Sequence, residues 1–170
     1  MNSAGSRFAS AHLGDRIIEF IARGFGTGWA PRAPGTVGTL AGVAFYLVLA
    51  ELPLLAYIGS ILVLGTLGIW ICGRTSRLMK VDDHPGIVWD EVVGYLVTMI
   101  AAPSGWLWIA LGFILFRIFD IAKPWPVRIA DQRLHGGLGI MADDVLAAVY
   151  ALLCLQFIAH VAYPLLTGGN

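Results

Sequence analysis

The basic residues of this chain are confined to three segments, which are separated by long apolar blocks. No Lys or Arg occurs in 33–73, in 92–116 or after Arg133. Ten of the eleven acidic residues share the basic segments or their margins, and Glu51 is the exception. With 58% hydrophobic and 13% charged residues, the chain has too few charges to cover the surface of a soluble fold. We therefore predict a membrane protein.

The positions of the basic segments predict how the chain crosses the membrane. Short loops rich in Lys and Arg stay in the cytoplasm during insertion, so all three segments are expected on that side. Each apolar block between them must then cross an even number of times, or dip in and return. We predict an all-α, polytopic membrane helical bundle of four to five short membrane segments, with a re-entrant pair as an alternative.

Breaks inside the apolar blocks locate the expected helices. Block 35–73 fits a pair of helices that turns at 51–53. Block 92–116 is interrupted by an Ala-Pro-Ser-Gly sequence. Its first arm would be a helix of only about 16 Å, which is short of the ~30 Å hydrocarbon core. Either this helix begins earlier, near Ile87, or the pair is re-entrant. Block 145–166 is long enough to cross once.

Residues 1–23 are expected to form an interfacial segment that precedes a membrane-embedded domain over 24–170. Apolar residues recur there at helical spacing, at Leu13, Ile17, Phe20 and Ile21. The pattern predicts an N-terminal amphipathic helix on the cytoplasmic surface. No apolar run precedes residue 37, so we expect no cleavable signal peptide. The formal net charge of zero gives no indication of a nucleic-acid partner.

Three clusters of ionisable residues lie at the ends of the predicted membrane segments. Such residues are costly near hydrocarbon and are candidates for function. The first cluster is Asp82, Asp83, His84, Asp90 and Glu91; the second is Arg117, Asp120 and Lys123; the third is Asp131, His135, Asp143 and Asp144. The predicted topology brings all three clusters to one face of the membrane.

The clusters contain the groups that phosphoryl transfer to water requires. Close carboxylates repel one another, and a shared hard cation such as Mg²⁺, which prefers oxygen ligands, offsets that repulsion. The cationic side chains of Arg117, Lys123 and Arg128 suit the oxygens of a phosphate. His84 or His135 could act as a base. We therefore expect a site for metal-assisted phosphate chemistry.

Simpler structural roles are open for several of these residues. Asp143 or Asp144 could cap the last helix, and Asp90 and Glu91 could be acids in a first helical turn, where the helix dipole favours them. Asp120 could form an ion pair with Lys123 three residues on. Arg117 could be an anchor whose charge reaches the membrane surface.

A stretch rich in glycine and threonine, 24–39, is open to two interpretations. A dinucleotide-binding loop would need a preceding strand and a following acidic residue, and the sequence indicates neither. Backbone amides and hydroxyls here, including that of Thr36, could bind a lipid phosphate near a helix start. Alternatively, Gly38 and Gly42 form a small-xxx-small pair for close helix packing.

Four long motifs resemble the phosphatidylglycerophosphatase A family, in the same order. They are GFGTGWAPRAPGTVGTLAG at 24–42, DDHPGIVWDEVVGY at 82–95, FRIFDIAKPWPVRIAD at 116–131 and LHGGLGIMADDVLA at 134–147. The resemblance implies a Mg²⁺-dependent enzyme of the bacterial inner membrane that converts phosphatidylglycerophosphate to phosphatidylglycerol, with its active site on the cytoplasmic face. It also implies roles for Asp83, His84, Asp90, Glu91, Asp120, Lys123, Asp131, His135, Asp143 and Asp144.

Our sequence-based hypothesis divides these residues by role. The expected catalytic residues are Asp83, His84, Asp120, Lys123, Asp131 and His135. The expected metal ligands are Asp90, Glu91, Asp120, Asp143 and Asp144, and the expected phosphate-binding residues are Arg117, Lys123, Arg128 and Thr36. Attack by water and a phospho-enzyme route both stay open. The alternatives are a transporter or ion carrier that uses clustered carboxylates, and a CDP-alcohol phosphotransferase; the oligomeric state is undetermined.

Overall fold

The computed structural model describes residues 13–163 and 165, and this part of the chain is helical, without a strand. Its α-helices are α1 (Leu13–Ala22), α2 (Pro34–Leu49), α3 (Leu54–Met79), α4 (Trp89–Thr98), α5 (Trp106–Ala122), α6 (Val127–Arg133) and α7 (Gly136–Phe157). A 3₁₀ segment, Gly24–Trp29, follows α1, and a π-helical turn, Ile158–Ala162, extends α7. The predicted all-α class is confirmed.

The two predicted helix breaks are where the sequence placed them. Helix α2 ends at Leu49 and α3 begins at Leu54, directly after Pro53. Helix α4 ends at Thr98, and Gly105, with φ 120°, precedes α5. Proline cannot continue a helix because it lacks an N–H, and the left-handed φ suits glycine. Each pair of helices therefore reverses direction at these turns.

Two helices among the described residues are long and apolar enough to cross a membrane. They are Leu54–Met79, with 26 residues, and Gly136–Ala162, with 27 residues. The 16 residues of α2 reach about 24 Å and the ten residues of α4 about 15 Å. Four or five full-length crossings are therefore not evident, and that number stays a prediction.

The short helix α4 is the centre of the bundle. It packs against α2, α3, α5 and α7, and all of its residues except Glu91 are buried. It begins at Trp89, so an earlier start near Ile87 is not observed. The indole N–H of Trp89 donates to the carbonyl of Leu64 at 3.2 Å and ties the start of α4 to α3. Helix α4 thus holds its first turn inside the protein.

Glycines in α2 allow its backbone to approach α4 closely. A Cβ atom at Gly38 would lie 2.5 Å from Cβ of Val88, and one at Gly42 would lie 3.0 Å from Cβ of Tyr95. Real Cβ atoms do not tolerate such distances without displacement of the neighbour. The packing role of this small-xxx-small pair is confirmed.

Apolar side chains cover much of the exterior of the helices. Leu55 is 85% exposed, Val48 75%, Leu62 65% and Leu153 64%. Soluble monomers rarely expose so large an apolar surface, because its contact with water is unfavourable. Contact with the hydrocarbon of a membrane is favourable for the same surface. The interior is apolar as well, with Tyr95 among the side chains that are fully buried.

Helix α1 is amphipathic, as predicted for residues 13–23. Leu13 and Ile17 are 74% and 51% exposed, whereas Ile21 packs against the core. An ion pair of 2.9 Å between Asp15 and Arg74 fastens α1 to α3. Residues 1–12 of the predicted interfacial segment, including Arg7, lie outside the described residues.

Candidate active site

The polar residues of the bundle converge at one end. The start of α2, the end of α3, the start of α4, the end of α5 and the start of α7 all lie there, because consecutive helices run in opposite directions. The opposite end carries Glu51 and the turn between α4 and α5. The convergence that the sequence predicted from the basic segments is therefore present in the fold.

Three carboxylates form an inner carboxylate cluster, consisting of Asp90, Glu91 and Asp144. Each offers an oxygen, and these oxygens all lie within 4.8 Å of one another. Asp90 is 8% exposed and Asp144 4%. One buried oxygen of each side chain, Oδ1 of Asp90, Oε2 of Glu91 and Oδ2 of Asp144, has no hydrogen-bond partner.

Such an arrangement suits a bound cation. Buried polar atoms are normally hydrogen-bonded, and three carboxylates this close together repel one another. A donor set made only of carboxylate oxygens is typical of hard divalent cations such as Mg²⁺. The helix dipole favours acids in the first turn of α4, but it does not account for Asp144, which comes from another helix.

Arg117 borders the inner carboxylate cluster. Its Nη1 donates to Oδ2 of Asp120 at 2.6 Å and lies 3.9 Å from Oε1 of Glu91. Its side chain is only 15% exposed, and Nε has no partner. A Cβ atom at Gly35 would lie 3.2 Å from both terminal nitrogens of Arg117 and closer still to the Glu91 carboxylate. Arg117 therefore belongs to the site and is not an exposed anchor.

A second group, the outer lysine cluster, consists of Lys123, Asp131 and Asp143. Nζ of Lys123 donates to Asp131 and, at 2.7 Å, to Oδ2 of Asp143. Burial alone would lower the pKa of the Lys123 ammonium, but its hydrogen bonds to Asp131 and Asp143 outweigh burial and raise that pKa above its ordinary value. Lys123 is consequently a cation held between a carboxylate of α6 and one of α7.

A cleft of about 180 Å³ opens beside the outer lysine cluster. Its walls include acidic residues from three parts of the chain and one histidine; the lining residues are Asp82, Asp83, Asp131, Leu134, His135, Gly136, Gly139, Ile140 and Asp143. The charge of Asp83 interacts with those of Lys123, Asp131 and Asp120. Lys123 does not line the cleft itself, but it donates hydrogen bonds to two of the lining carboxylates, Asp131 and Asp143.

The family model for phosphatidylglycerophosphatase A matches residues 20–159. The chain belongs to the phosphatidylglycerophosphatase A family. Membership makes this chain a phosphatase. The family that the four motifs indicated is therefore confirmed.

Individual relatives agree with this assignment. A phosphatidylglycerophosphatase A of Escherichia coli (strain K12) is 44% identical over 142 residues, 82% of each chain. One of Haemophilus influenzae is 45% identical over 145 residues, 84% of this chain and 89% of the relative. A protein of Bacteroides thetaiotaomicron, provisionally named a phosphatidylinositol-3-phosphatase, is 39% identical over 143 residues, 79% of this chain and 89% of the relative. No solved structure matches the chain significantly.

The fold corrects where the sequence placed the two acids of α7. The residue that precedes α7 is His135, so Asp143 and Asp144 are not helix caps. They lie two turns inside the helix, and Asp144 is about 12 Å along the axis from Gly136 at 1.5 Å per residue. The inner carboxylate cluster of this family member is therefore recessed below the end of the bundle.

Asp120 and Lys123 do not form the ion pair that the sequence left open as a structural alternative. Helix α5 ends at Ala122, and Lys123 adopts φ 41°, which turns its side chain toward α6 and α7. Asp120 pairs with Arg117 instead. Two of the five expected metal ligands, Asp120 and Asp143, thus have cationic partners of their own.

The remaining predicted site residues lie on several different elements. Asp131 lies on the short helix α6. Arg128, on the same helix, is exposed and forms no ion pair with a described residue. Thr36 is half-buried in the first turn of α2, beside Gly35. Nδ1 of His84 accepts the backbone N–H of Gly86 at 2.9 Å.

Sequence reasoning did not assign Gly35 a place in the site. The residue lies against Glu91 and Arg117, where a side chain would fill the space that they occupy. Its signals were its place in the 24–39 stretch, which was open to phosphate binding, and its position after Pro34, which also fits an ordinary helix start. Tertiary packing of α2 on α4 and α5 is needed to recognise it.

Proposed function

We propose that this chain hydrolyses the terminal phosphomonoester of phosphatidylglycerophosphate, releasing phosphate and phosphatidylglycerol in the bacterial inner membrane. The observation that carries the proposal is the inner carboxylate cluster, in which each side chain has a buried oxygen without a hydrogen-bond partner, with Arg117 beside Glu91 and Lys123 bound to Asp143. Family membership and two relatives with the phosphatidylglycerophosphatase A name support the substrate.

The membrane arrangement belongs to the proposal. Helices α2, α3, α5 and α7, with the short α4 between them, form four to five membrane segments over a domain at 24–170, and α1 lies on the surface. The apolar exterior of these helices supports this arrangement. The active site faces the cytoplasm, because the basic segments that remain there lie at the same end of the bundle.

Asp90, Glu91 and Asp144 would hold Mg²⁺ in this proposal. When bound, the ion supplies charge compensation for the cluster and polarises the phosphate. Asp120 and Asp143 act differently, because each accepts a short hydrogen bond from a cationic side chain, whereas Glu91 lies 3.9 Å from Arg117. They orient Arg117 and Lys123 and keep those two side chains within the site.

The protein's own cations and bases carry the remaining chemistry. Arg117 and Lys123 donate hydrogen bonds to the non-bridging phosphate oxygens and stabilise the charge that develops on them. His135 lines the cleft and accepts a proton from the attacking water. The buried position of the inner carboxylate cluster excludes other water. The diacylglycerol tails lie among the apolar helices.

Phosphate release from the purified protein in mixed micelles tests the proposal. Phosphatidylglycerophosphate is compared with phosphatidic acid and phosphatidylinositol 3-phosphate, each with EDTA and then with added Mg²⁺. We expect the highest kcat/KM for phosphatidylglycerophosphate, loss of activity with EDTA and recovery with Mg²⁺. Full activity in EDTA would exclude the metal, and a preference for either other lipid would exclude the proposed substrate.

The same preparation separates the two rival functions. A CDP-alcohol phosphotransferase would need a cytidine nucleotide, whereas hydrolysis needs none. A transporter would place its ionisable residues near the middle of the membrane, and it would produce flux across liposomes without phosphate release. We expect neither nucleotide dependence nor flux.

A further inference from the structure

We infer that a groove between α1 and the Gly24–Trp29 segment is a second lipid site, which holds an anionic phosphodiester lipid of the surrounding leaflet. The inference rests on the proposed membrane location of the chain. The groove has a volume of about 460 Å³, and its lining residues are Arg16, Ile17, Glu19, Phe20, Arg23 and Trp29. None of these residues belongs to the inner carboxylate cluster or the outer lysine cluster.

The charges in the groove favour an anion. Arg23 is buried, donates to Glu19 at 2.9 Å and lies 5.9 Å from the ring of Trp29, so its charge is compensated. Arg16 is exposed, and no carboxylate among residues 13–163 pairs with it. One guanidinium is therefore left to bind a phosphate group, for which its planar set of donors is suited.

The walls of the groove suit an acyl chain. Ile17, Phe20 and Trp29 are 51%, 40% and 59% exposed. The ring of Phe20 lies 5.9 Å from that of Trp29 and 5.8 Å from that of Phe25, which is also exposed. Exposed aromatic rings beside arginine are typical of the headgroup level of a bilayer. The groove thus has one cationic end and an apolar side, like the lipid it would hold.

The groove is not a route for substrate to the carboxylates. The Gly24–Trp29 segment is closed against the loop before α4: the N–H of Val88 donates to the carbonyl of Ala22 at 2.9 Å, and a Cβ atom at Gly28 would collide with Gly86. This contact separates the groove from Asp90. A lipid held at Arg16 is consequently out of reach of hydrolysis, and we assign the groove to a resident lipid.

Native mass spectrometry of the full-length protein in detergent tests the assignment. The probes are phosphatidylserine, which has no phosphomonoester, and phosphatidylcholine with the same acyl chains. One cation near a lipid surface contributes about a five-fold preference for an anionic lipid. We expect the wild-type protein to retain phosphatidylserine about five-fold better than phosphatidylcholine, and Arg16→Gln to abolish that preference.

Arg77→Gln is the matched control, because Arg77 is an exposed arginine of α3 at the same end of the bundle and does not line the groove. This variant should keep the wild-type preference, and Arg16→Lys should keep part of it. Equal retention of both lipids by the wild-type protein, or equal losses in Arg16→Gln and Arg77→Gln, would overturn the assignment. Hydrolysis is measured separately, so loss of lipid preference with normal phosphate release leaves the proposed function intact.

Discussion

The three carboxylates of the inner carboxylate cluster lower the stability of the folded protein when no cation is bound. Asp90, Glu91 and Asp144 each have a buried oxygen without a partner, and their charges repel one another. Unpaired buried charges destabilise a fold unless a counter-charge is present. Such residues are typical of functional sites, where the charge serves binding or catalysis.

The first prediction concerns Asp90→Asn in protein stripped of metal by EDTA. Removal of one of three repelling charges should raise the melting temperature by about 2–4 °C for each kcal/mol of repulsion relieved. Added Mg²⁺ should raise the melting temperature of the wild-type protein but not that of the variant, because binding to the folded state stabilises it. The measurement is thermal unfolding in detergent with and without Mg²⁺.

Phosphate release should fall by at least about a hundred-fold in the same variant, since a metal ligand is lost. Glu51→Gln is a suitable control, because Glu51 is exposed at the opposite end of the bundle and lies outside both clusters and the cleft. An Asp90→Asn protein that still gains stability from Mg²⁺ and keeps full activity would remove Asp90 from the proposed ligands.

The second prediction concerns Gly35→Ala. The added methyl group would press on Glu91 and Arg117 at once, so we expect kcat to fall by about ten-fold or more while the helix itself persists. Gly59→Ala in α3 is the matched control, because a Cβ atom there meets nothing within 4 Å. Alanine is the better helix former by about 0.5–1 kcal/mol, so the control should be active and slightly more stable. Equal activity in the two variants would contradict this role for Gly35.

At the scale of elements, helix α7 serves two clusters with adjacent residues. Asp143 points to Lys123, and Asp144 contributes to the inner carboxylate cluster. Consecutive residues of an α-helix are about 100° apart around its axis. Within one turn of α7, a proposed metal ligand and a residue that positions a cation therefore point in different directions.

The third prediction uses this separation. Asp144→Asn should abolish binding of Mn²⁺ as a spectroscopic substitute for Mg²⁺, because it removes a proposed ligand. Asp143→Asn should keep Mn²⁺ binding within a few-fold and lower kcat instead, because Lys123 loses one of its two acceptors. Mn²⁺ titration followed by electron paramagnetic resonance gives the affinity of each variant. Loss of Mn²⁺ binding in both variants would place Asp143 among the ligands as well.

Helices α4 and α5 form a hairpin: α4 begins and α5 ends at the same end of the bundle. Helix α4 is too short to span a bilayer, but its buried position means that other helices surround it on all sides. Its length is also what lets Asp90 and Glu91, in its first turn, reach the depth of Asp144 in α7. A full-length helix in this position would bring its first turn to the end of the bundle.

At the scale of the whole molecule, the described parts of the three basic segments share one end, and Glu51 lies at the other. An apolar belt lies between the two ends. The charges are separated in this way because consecutive helices run in opposite directions, so that every second connection lies at the same end of the bundle. This separation is also the basis of the proposed orientation in the membrane, because Lys and Arg in short loops favour the cytoplasm.

The fourth prediction tests that orientation in intact bacterial cells. A cysteine in place of Glu51 should react with a membrane-impermeant thiol reagent added outside, whereas Arg133→Cys should react only after the cells are opened. Both substitutions are made in a Cys154→Ala background, and Cys72 is buried. Labelling of both positions from the same side would exclude the proposed topology.

The sequence by itself determined the helical class, both hairpin turns, the amphipathic α1 and the meeting of the acidic clusters at one end. Helix-breaking residues end helices through local backbone effects, and the charge distribution is read directly along the chain, so the sequence is sufficient to recognise both. Four motifs were enough to identify the family.

Tertiary structure alone decided how the clusters divide. The partners of Asp120 and Asp143, the depth of Asp144 and the place of Gly35 depend on the angles at which α2, α4, α5 and α7 pack. Residue spacing along one helix does not contain those angles. Lys123 illustrates the point. Its spacing of three residues from Asp120 allowed an ion pair, but α5 ends one residue before Lys123, and the side chain of Lys123 bonds to α6 and α7 instead.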